Sequence, residues 1–363
     1  MANMRGELRF GVLGAGQISR IACQEINRHT AARVVAASDP HPERLAELAA
    51  GLGGLRTYAD NQALLADPEL DAVFIATPNV FHAPLALAAL SAGKHVIVEK
   101  PFAINAVEAA AVVERAERAG KLLSVGMNQR FRPESQRVRQ LVRQGALGHV
   151  YHAKAFWFRR AGIPKLGTWF GKKSLAGGGA LYDIGVHLLD LALFVLDSFE
   201  PVSVSGQVYT TFGHRGIGEG GWGLSDREHT DTDFDVDDGA TALLRFANGA
   251  TLTLDVSWAI HQKESDRMNV VVHGSEAGVG CYPGELYRFG ASAGAENDSC
   301  DAVKLVETPL DYPHANRFHN FIGAVLGTEE LCVSPAQALA VQRILDAIYE
   351  SSRLGREVML SQP

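Results

Sequence analysis

The sequence predicts an α/β N-terminal half built on a parallel sheet and an α+β C-terminal half built on a largely antiparallel one. Three observations carry this. The chain has 363 residues, which at about 150 residues per domain makes two domains. Over the first 130 residues apolar runs alternate with helical stretches. Those runs show no apolar–polar alternation, as in strands covered on both faces. Beyond residue 200, strand-like runs follow one another directly. Apolar residues make up 47% and charged residues 21%, which excludes a disordered chain and a disulfide framework.

Leu8 to Leu13 reads as a first strand ending in glycines. Gln17 to Arg28 places Ile18, Ile21, Ala22 and Ile26 near one helical face. Arg33 to Asp39, Asp71 to Thr77, His95 to Glu99 and Lys121 to Val125 are further strands, with helices over His82 to Ala92 and Asn105 to Ala119. After residue 130 the spacing predicts a helix over Pro133 to Gln144, a strand over Val150 to Phe158 and an apolar helix over Leu181 to Leu196. Strands follow at Val202 to Thr210, Gly239 to Phe246, Thr251 to Ser257 and Asn269 to Val272. Asn248-Gly249 marks a hairpin between two of them. Ser334, Pro335 and Gln337 punctuate the start of a last helix, which Gly355 ends.

The net charge of −7 argues against broad nucleic-acid binding. Four dispersed cysteines (Cys23, Cys281, Cys300, Cys332) with no Cys-x-x-Cys point to a reducing compartment. Without a leader-like N-terminus or a long uninterrupted apolar run, the expectation is a cytoplasmic protein with no membrane partner. Asp226 to Asp238 holds seven acids in 13 residues. Counted from Asp231, position six is Val236 and position twelve Ala242, so a calcium loop fails and a solvated loop entering a strand is expected. No His-Cys set has zinc spacing, and no metal is expected.

The first strand runs into Gly14-Ala-Gly16-Gln17-Ile18-Ser19 and then a helix. In a dinucleotide loop the first glycine makes the turn and the second admits the pyrophosphate to the helix N-terminus. Ser19 stands where a third glycine or alanine is usual. Asp39 ends the next strand, 20 residues past Ser19. A carboxylate there hydrogen-bonds a ribose 2′-hydroxyl and repels a 2′-phosphate, favouring NAD, with NADP as the alternative; His41 and Arg44 soften that preference.

Four more stretches make the chain resemble the Gfo/Idh/MocA oxidoreductases, the family of glucose–fructose oxidoreductase and inositol 2-dehydrogenase. They are Ala76-Thr77-Pro78-Asn79-Val-Phe-His82, Glu99-Lys100-Pro101, Gly126-Met127-Asn128-Gln-Arg130-Phe, and Gly177-Gly-Gly-Ala-Leu-Tyr-Asp183-Ile-Gly-Val-His187-Leu-Leu-Asp190. The resemblance implies a Rossmann domain over residues 1–130. It implies a substrate-binding and oligomerisation domain over 131–363, on a large open sheet, ending in a helix over 334–354. It implies a site between the domains and a homodimer or homotetramer through the sheet. It also implies a cis Lys100–Pro101 bond that aims the lysine.

Asp183 and His187 are four apart and share a helical face, with Asp190 three further on. A histidine titrates near neutrality and suits a base; a lysine ammonium can stabilise a developing alkoxide. With the resemblance this implies a catalytic group of His187 as proton acceptor, Lys100 as stabiliser and Asp183 as substrate ligand or supporting acid. The cofactor is expected on Gly14, Gly16, Gln17, Ile18, Asp39, Ala76, Thr77, Pro78, Asn79, His82, Glu99, Lys100, Asn128 and Trp169. The substrate is expected on Lys100, Met127, Trp169, Asp183, His187 and His314. Met127 stands where glucose–fructose oxidoreductase has a tyrosine, which disfavours that substrate pairing. The expected reaction is hydride transfer between nicotinamide and a secondary alcohol or ketone of a cyclic polyol, sugar or sugar derivative. An NAD-dependent glycoside hydrolase, a non-catalytic sugar or nucleotide sensor and a dehydrogenase of non-sugar substrates stay open as alternatives.

Overall fold

The computed structural model describes residues 7–221, 234–289, 300–313 and 316–360. The chain forms two compact units. The first begins β1 (Leu8–Leu13), α1 (Gln17–Asn27), β2 (Ala32–Ser38), α2 (Pro42–Leu52), β3 (Arg56–Tyr58), α3 (Asn61–Leu65) and β4 (Ala72–Ile75). It continues α4 (His82–Ser91), β5 (His95–Val98), α5 (Ala106–Ala119) and β6 (Leu123–Val125). Its six strands lie in the order β3-β2-β1-β4-β5-β6, and every pair is parallel. All four residues of β4 are buried, as the run without alternation requires of a sheet covered on both faces. The order reverses between β1 and β4, which places a crevice at their C-terminal ends.

The second unit holds α6 (Pro133–Arg143), β7 (Val150–Arg159), α7 (Lys173–Ala176), a π-helical turn at Leu181–Gly185 and α8 (Val186–Val195). Six strands follow among the described residues: β8 (Pro201–Tyr209), β9 (Gly239–Phe246), β10 (Thr251–Ser257), β11 (Asp266–Gly274), β12 (Gly278–Gly280) and β13 (Glu285–Phe289). β14 (Cys300–Lys304) and β15 (Val358–Met359) complete its strands; between them in the chain come α9 (Arg317–Leu326), which counts with the first unit, and α10 (Pro335–Leu354), which the boundary after Gln342 divides. The sheet of nine strands runs β14-β13-β12-β11-β7-β10-β9-β8-β15. One pair, β7 with β10, is parallel and the others are antiparallel. The β9–β10 hairpin turns at Gly249, φ +84°, with the Asn248 side chain accepting the Ala250 N–H.

The domain boundary is less simple than a cut at residue 130. The first unit runs to Met127 and also takes Asn316–Gln342; the second runs from Asn128 and takes the chain from Arg343 onward. The reason is apolar: Phe318 and Phe321 of α9 are fully buried edge-on against Phe74 and Phe10 of the parallel sheet. At the start of α10, Ser334 accepts the Gln337 N–H as a capping box should, and the helix ends at Gly355, φ +64°.

The segment Lys173–Val195 is long and apolar enough to cross a bilayer, but 89% of its apolar window is buried inside the fold. It is a core helix of the second unit.

Candidate active site

In the first unit, polar groups gather where β1, β2, β4 and β5 end. Gly14 holds φ +93°, and a Cβ there would lie 2.6 Å from the Ala76 carbonyl oxygen. Only glycine fits so tight a turn. Gly16 caps α1 without a side-chain hydrogen bond, and a Cβ there would meet nothing within 4 Å. The first N–H groups of α1, at exposed Gln17 and half-buried Ile18, therefore stand at an open helix N-terminus. Ser19 is more than a small packing residue: its buried hydroxyl donates to the Gly14 carbonyl at 2.6 Å and fixes the turn.

Asp39 is buried at the end of β2. Its carboxylate accepts the Ala15 N–H at 2.8 Å and the His41 N–H at 2.9 Å, tying the glycine loop to the neighbouring strand. A carboxylate offers about four lone-pair sites, so two such bonds leave capacity for a ribose hydroxyl. Ala76, Thr77 and Pro78 are half-buried after β4, and Asn79 is buried. The Thr77 hydroxyl is buried with no hydrogen-bond partner among the described residues. An open helix N-terminus, a glycine cradle, an orphaned hydroxyl and a carboxylate one strand over are the parts a dinucleotide needs. The residues present fit NAD.

Several expectations need correction here. His82 is 1% exposed and offers no nitrogen to a ligand. Its Nδ1 lies 2.7 Å from the Pro101 carbonyl and its Nε2 3.0 Å from the Thr77 carbonyl. The ring braces the loops after β4 and β5, and burial lowers its pKa. Glu99 is committed too, accepting the Lys100 N–H at 3.1 Å and pairing with Arg317 of α9. Lys100 is half-buried, and the Lys100–Pro101 bond is cis. Met127 is 1% exposed, so its side chain has no face for a substrate. Asn128 is exposed and counts with the second unit. His314 lies outside the described residues.

In the second unit, nearly every residue of Leu181–Val195 is buried. The two half-buried exceptions are Asp183 and His187. The buried Trp258, just past β10, donates its indole N–H to Asp183 Oδ2 at 2.8 Å. Trp157 of β7 lies beside His187, ring centroids 6.3 Å apart. Trp157 in turn donates to Asp266 at 2.9 Å, with the Arg159 guanidinium 4.4 Å over its ring. Trp169 is half-buried and stacks on Phe170 at 3.9 Å. Asp190 is a different kind of residue: 1% exposed, it binds the wholly buried Arg130 through two hydrogen bonds of 2.9 and 2.6 Å. It does not join the Asp183–His187 face.

The acidic segment is the largest correction. Residues 226–233 lie outside the described residues. From Phe234 on, the segment is a strap whose aspartates hold backbone N–H groups. Asp235 accepts from Lys173 at 2.5 Å. Asp237 accepts from Gly179 and Leu181, each at 2.8 Å, and from the Tyr349 hydroxyl at 2.6 Å. Asp238 accepts from Thr211, Phe212 and Gly213. Asp237 and Asp238 are 4% and 2% exposed. Asp237 caps the helix that carries Asp183 and His187. The glycine run before that helix follows from it: a Cβ on Gly179 would lie 1.8 Å from the Asp237 carbonyl oxygen, and one on Gly178 2.1 Å from the Tyr349 hydroxyl. The alternation of acids with Phe234 and Val236, both buried, was the available signal.

Comparison with known proteins agrees with both halves. Residues 8–127 match the oxidoreductase family with NAD-binding Rossmann fold, and residues 135–279 match the GFO/IDH/MocA C-terminal domain. The chain is 30% identical to the D-glucoside 3-dehydrogenase of Escherichia coli strain K12, over 97% of each chain. It is 27% identical to the inositol 2-dehydrogenase of Rhizobium meliloti strain 1021, over 98% of this chain and 99% of that one. Among solved structures, levoglucosan dehydrogenase with NADH and levoglucosan has a TM-score of 0.80 at 25% identity, covering 98% of this chain and 100% of that one.

Proposed function

The chain belongs to the Gfo/Idh/MocA oxidoreductase family, and from that premise we propose that it interconverts a secondary ring hydroxyl of a pyranoside or cyclitol with the corresponding ketone. One observation carries the catalytic part: in an otherwise buried helix the two polar residues that stay accessible are a carboxylate and an imidazole four residues apart. Bound NAD supplies the hydride acceptor at the carbon. Gly14, Gly16, Ile18 and Asp39 would hold its pyrophosphate and ribose. His187 takes the hydroxyl proton, the Lys100 ammonium stabilises the alkoxide as it forms, and Asp183 accepts a neighbouring substrate hydroxyl. A pyranoside is favoured because, at nearly full length in both cases, the D-glucoside dehydrogenase is 30% identical and the inositol 2-dehydrogenase 27%.

The same reading has the enzyme cytoplasmic and self-associating. Its support is the sheet face opposite α8, where Phe156 and Phe158 stack half-buried at 5.9 Å with Arg267 over the Phe156 ring. Sedimentation that returns a monomer at micromolar concentration removes self-association from the reading.

The test is NADH absorbance with NAD, then NADP, against methyl glucosides, myo-inositol, levoglucosan and aldoses. Lys100→Met is expected to lose turnover by about a thousandfold or more while NAD still quenches protein fluorescence. Equal turnover in that variant removes Lys100 from the mechanism. Silence of the wild type on every substrate, with release of nitrophenol from chromogenic glycosides, transfers the reading to a glycoside hydrolase.

A further inference from the structure

We propose that Trp258 is the positioning residue for Asp183, holding the carboxylate in one rotamer. The inference rests on the catalytic reading of Asp183 given above. Trp258 is 0% exposed, and a buried indole N–H needs an acceptor. The acceptor it has is Asp183 Oδ2, at 2.8 Å. A bond from a neutral donor to a carboxylate is charge-assisted, and so stronger than one between neutral groups.

Both partners are fixed from one place. The Trp258 backbone N–H donates to the Asp238 carbonyl at 2.8 Å, and the neighbouring Ser257 hydroxyl lies 2.7 Å from the Ala259 carbonyl and 3.2 Å from that of Asp238. The Ala180 N–H donates to the Asp237 carbonyl at 2.9 Å, and the Asp237 carboxylate holds Gly179 and Leu181. Two adjacent aspartates therefore anchor the donor and the start of the acceptor's helix. The indole is a rigid plane, so fixing its backbone fixes its N–H. Asp183, which reaches solvent on one side, is held on the other by a group that cannot swing away.

The experiment has two arms. The chain has four tryptophans, so indole-¹⁵N-labelled protein gives four Nε1–H signals, and the one lost in Trp258→Phe belongs to Trp258. In Asp183→Ala that signal is expected to move upfield while the other three stay. In the second arm, with methyl β-D-glucoside as probe, Trp258→Phe is expected to lower kcat/KM about tenfold or more with the Kd for NAD unchanged. A Trp258 signal indifferent to Asp183→Ala overturns the pairing. A moved signal with kcat/KM unchanged in Trp258→Phe overturns the positioning role. A wild type inactive on methyl β-D-glucoside and on every other substrate of the panel above removes the catalytic reading beneath the proposal, whereas the indole arm still decides the contact. Where Trp258→Phe fails to fold, the Trp258 signal is assigned by elimination as the one retained in Trp157→Phe, Trp169→Phe and Trp222→Phe, and the indole arm stands.

Discussion

The glycine loop of the first unit and the helix of the second at residues 181–195 arrange polar groups in opposite ways. The loop offers backbone: N–H groups at an uncapped helix start, with the side chains of Ser19 and Asp39 turned inward to brace it. The helix offers two side chains, Asp183 and His187, with its own N-terminal backbone consumed by Asp237. A backbone site depends on which residues lack a Cβ. A side-chain site depends on what holds the helix in place. The same residue type, glycine, consequently serves access in one region and packing in the other.

That contrast can be broken most sharply at Gly179. Gly179→Ala puts a Cβ 1.8 Å from the Asp237 carbonyl oxygen, and a loss of about 3 kcal/mol or more is expected in the urea unfolding midpoint. A midpoint within error of wild type would mean the strap yields freely and does not set the helix. The second effect in size is at Asp237, whose carboxyl burial raises above the usual range. A raised folded pKa gives stability that is complete below the unfolded value of about 3.9 and is lost as pH rises through the folded one. Asp237→Asn is expected to flatten that fall in unfolding midpoints measured between pH 4 and pH 7. An unchanged slope assigns the pH dependence elsewhere.

Gly16→Ala is the counterpart of Gly179→Ala. Nothing lies within 4 Å of the added Cβ and φ is −74°, so the unfolding midpoint is expected to hold. The Kd for NAD, by fluorescence titration, is expected to rise about tenfold (~1.4 kcal/mol) as the methyl crowds the pyrophosphate. A fall in stability with affinity intact would reverse the roles given to the two glycines. The smallest effect is at Asp39. Asp39→Ser is expected to shift relative use of NADP over NAD severalfold, along with a modest loss of affinity from the freed loop at Ala15. An unchanged ratio of kcat/KM values removes the ribose role and leaves the brace.

The sequence by itself determined the local features. The apolar runs gave five of the six parallel strands, missing the short polar β3 at Arg56–Tyr58, Gly14 marked a tight turn, and Asn248-Gly249 and Ser334 with Gln337 punctuated their elements as read. Each of these depends on residues within a few positions of one another, so spacing alone carries it. Tertiary structure decided which polar residues support others. His82 became a brace between two carbonyls, Asp190 a buried partner of Arg130, and Asp237 a cap reaching 58 residues back to Gly179. It also decided that α9 returns to the first unit, because two phenylalanines find their aromatic partners there. A buried polar side chain takes whatever partner the fold brings within hydrogen-bond distance. That distance, unlike a helical or strand period, is not written in the spacing of the chain.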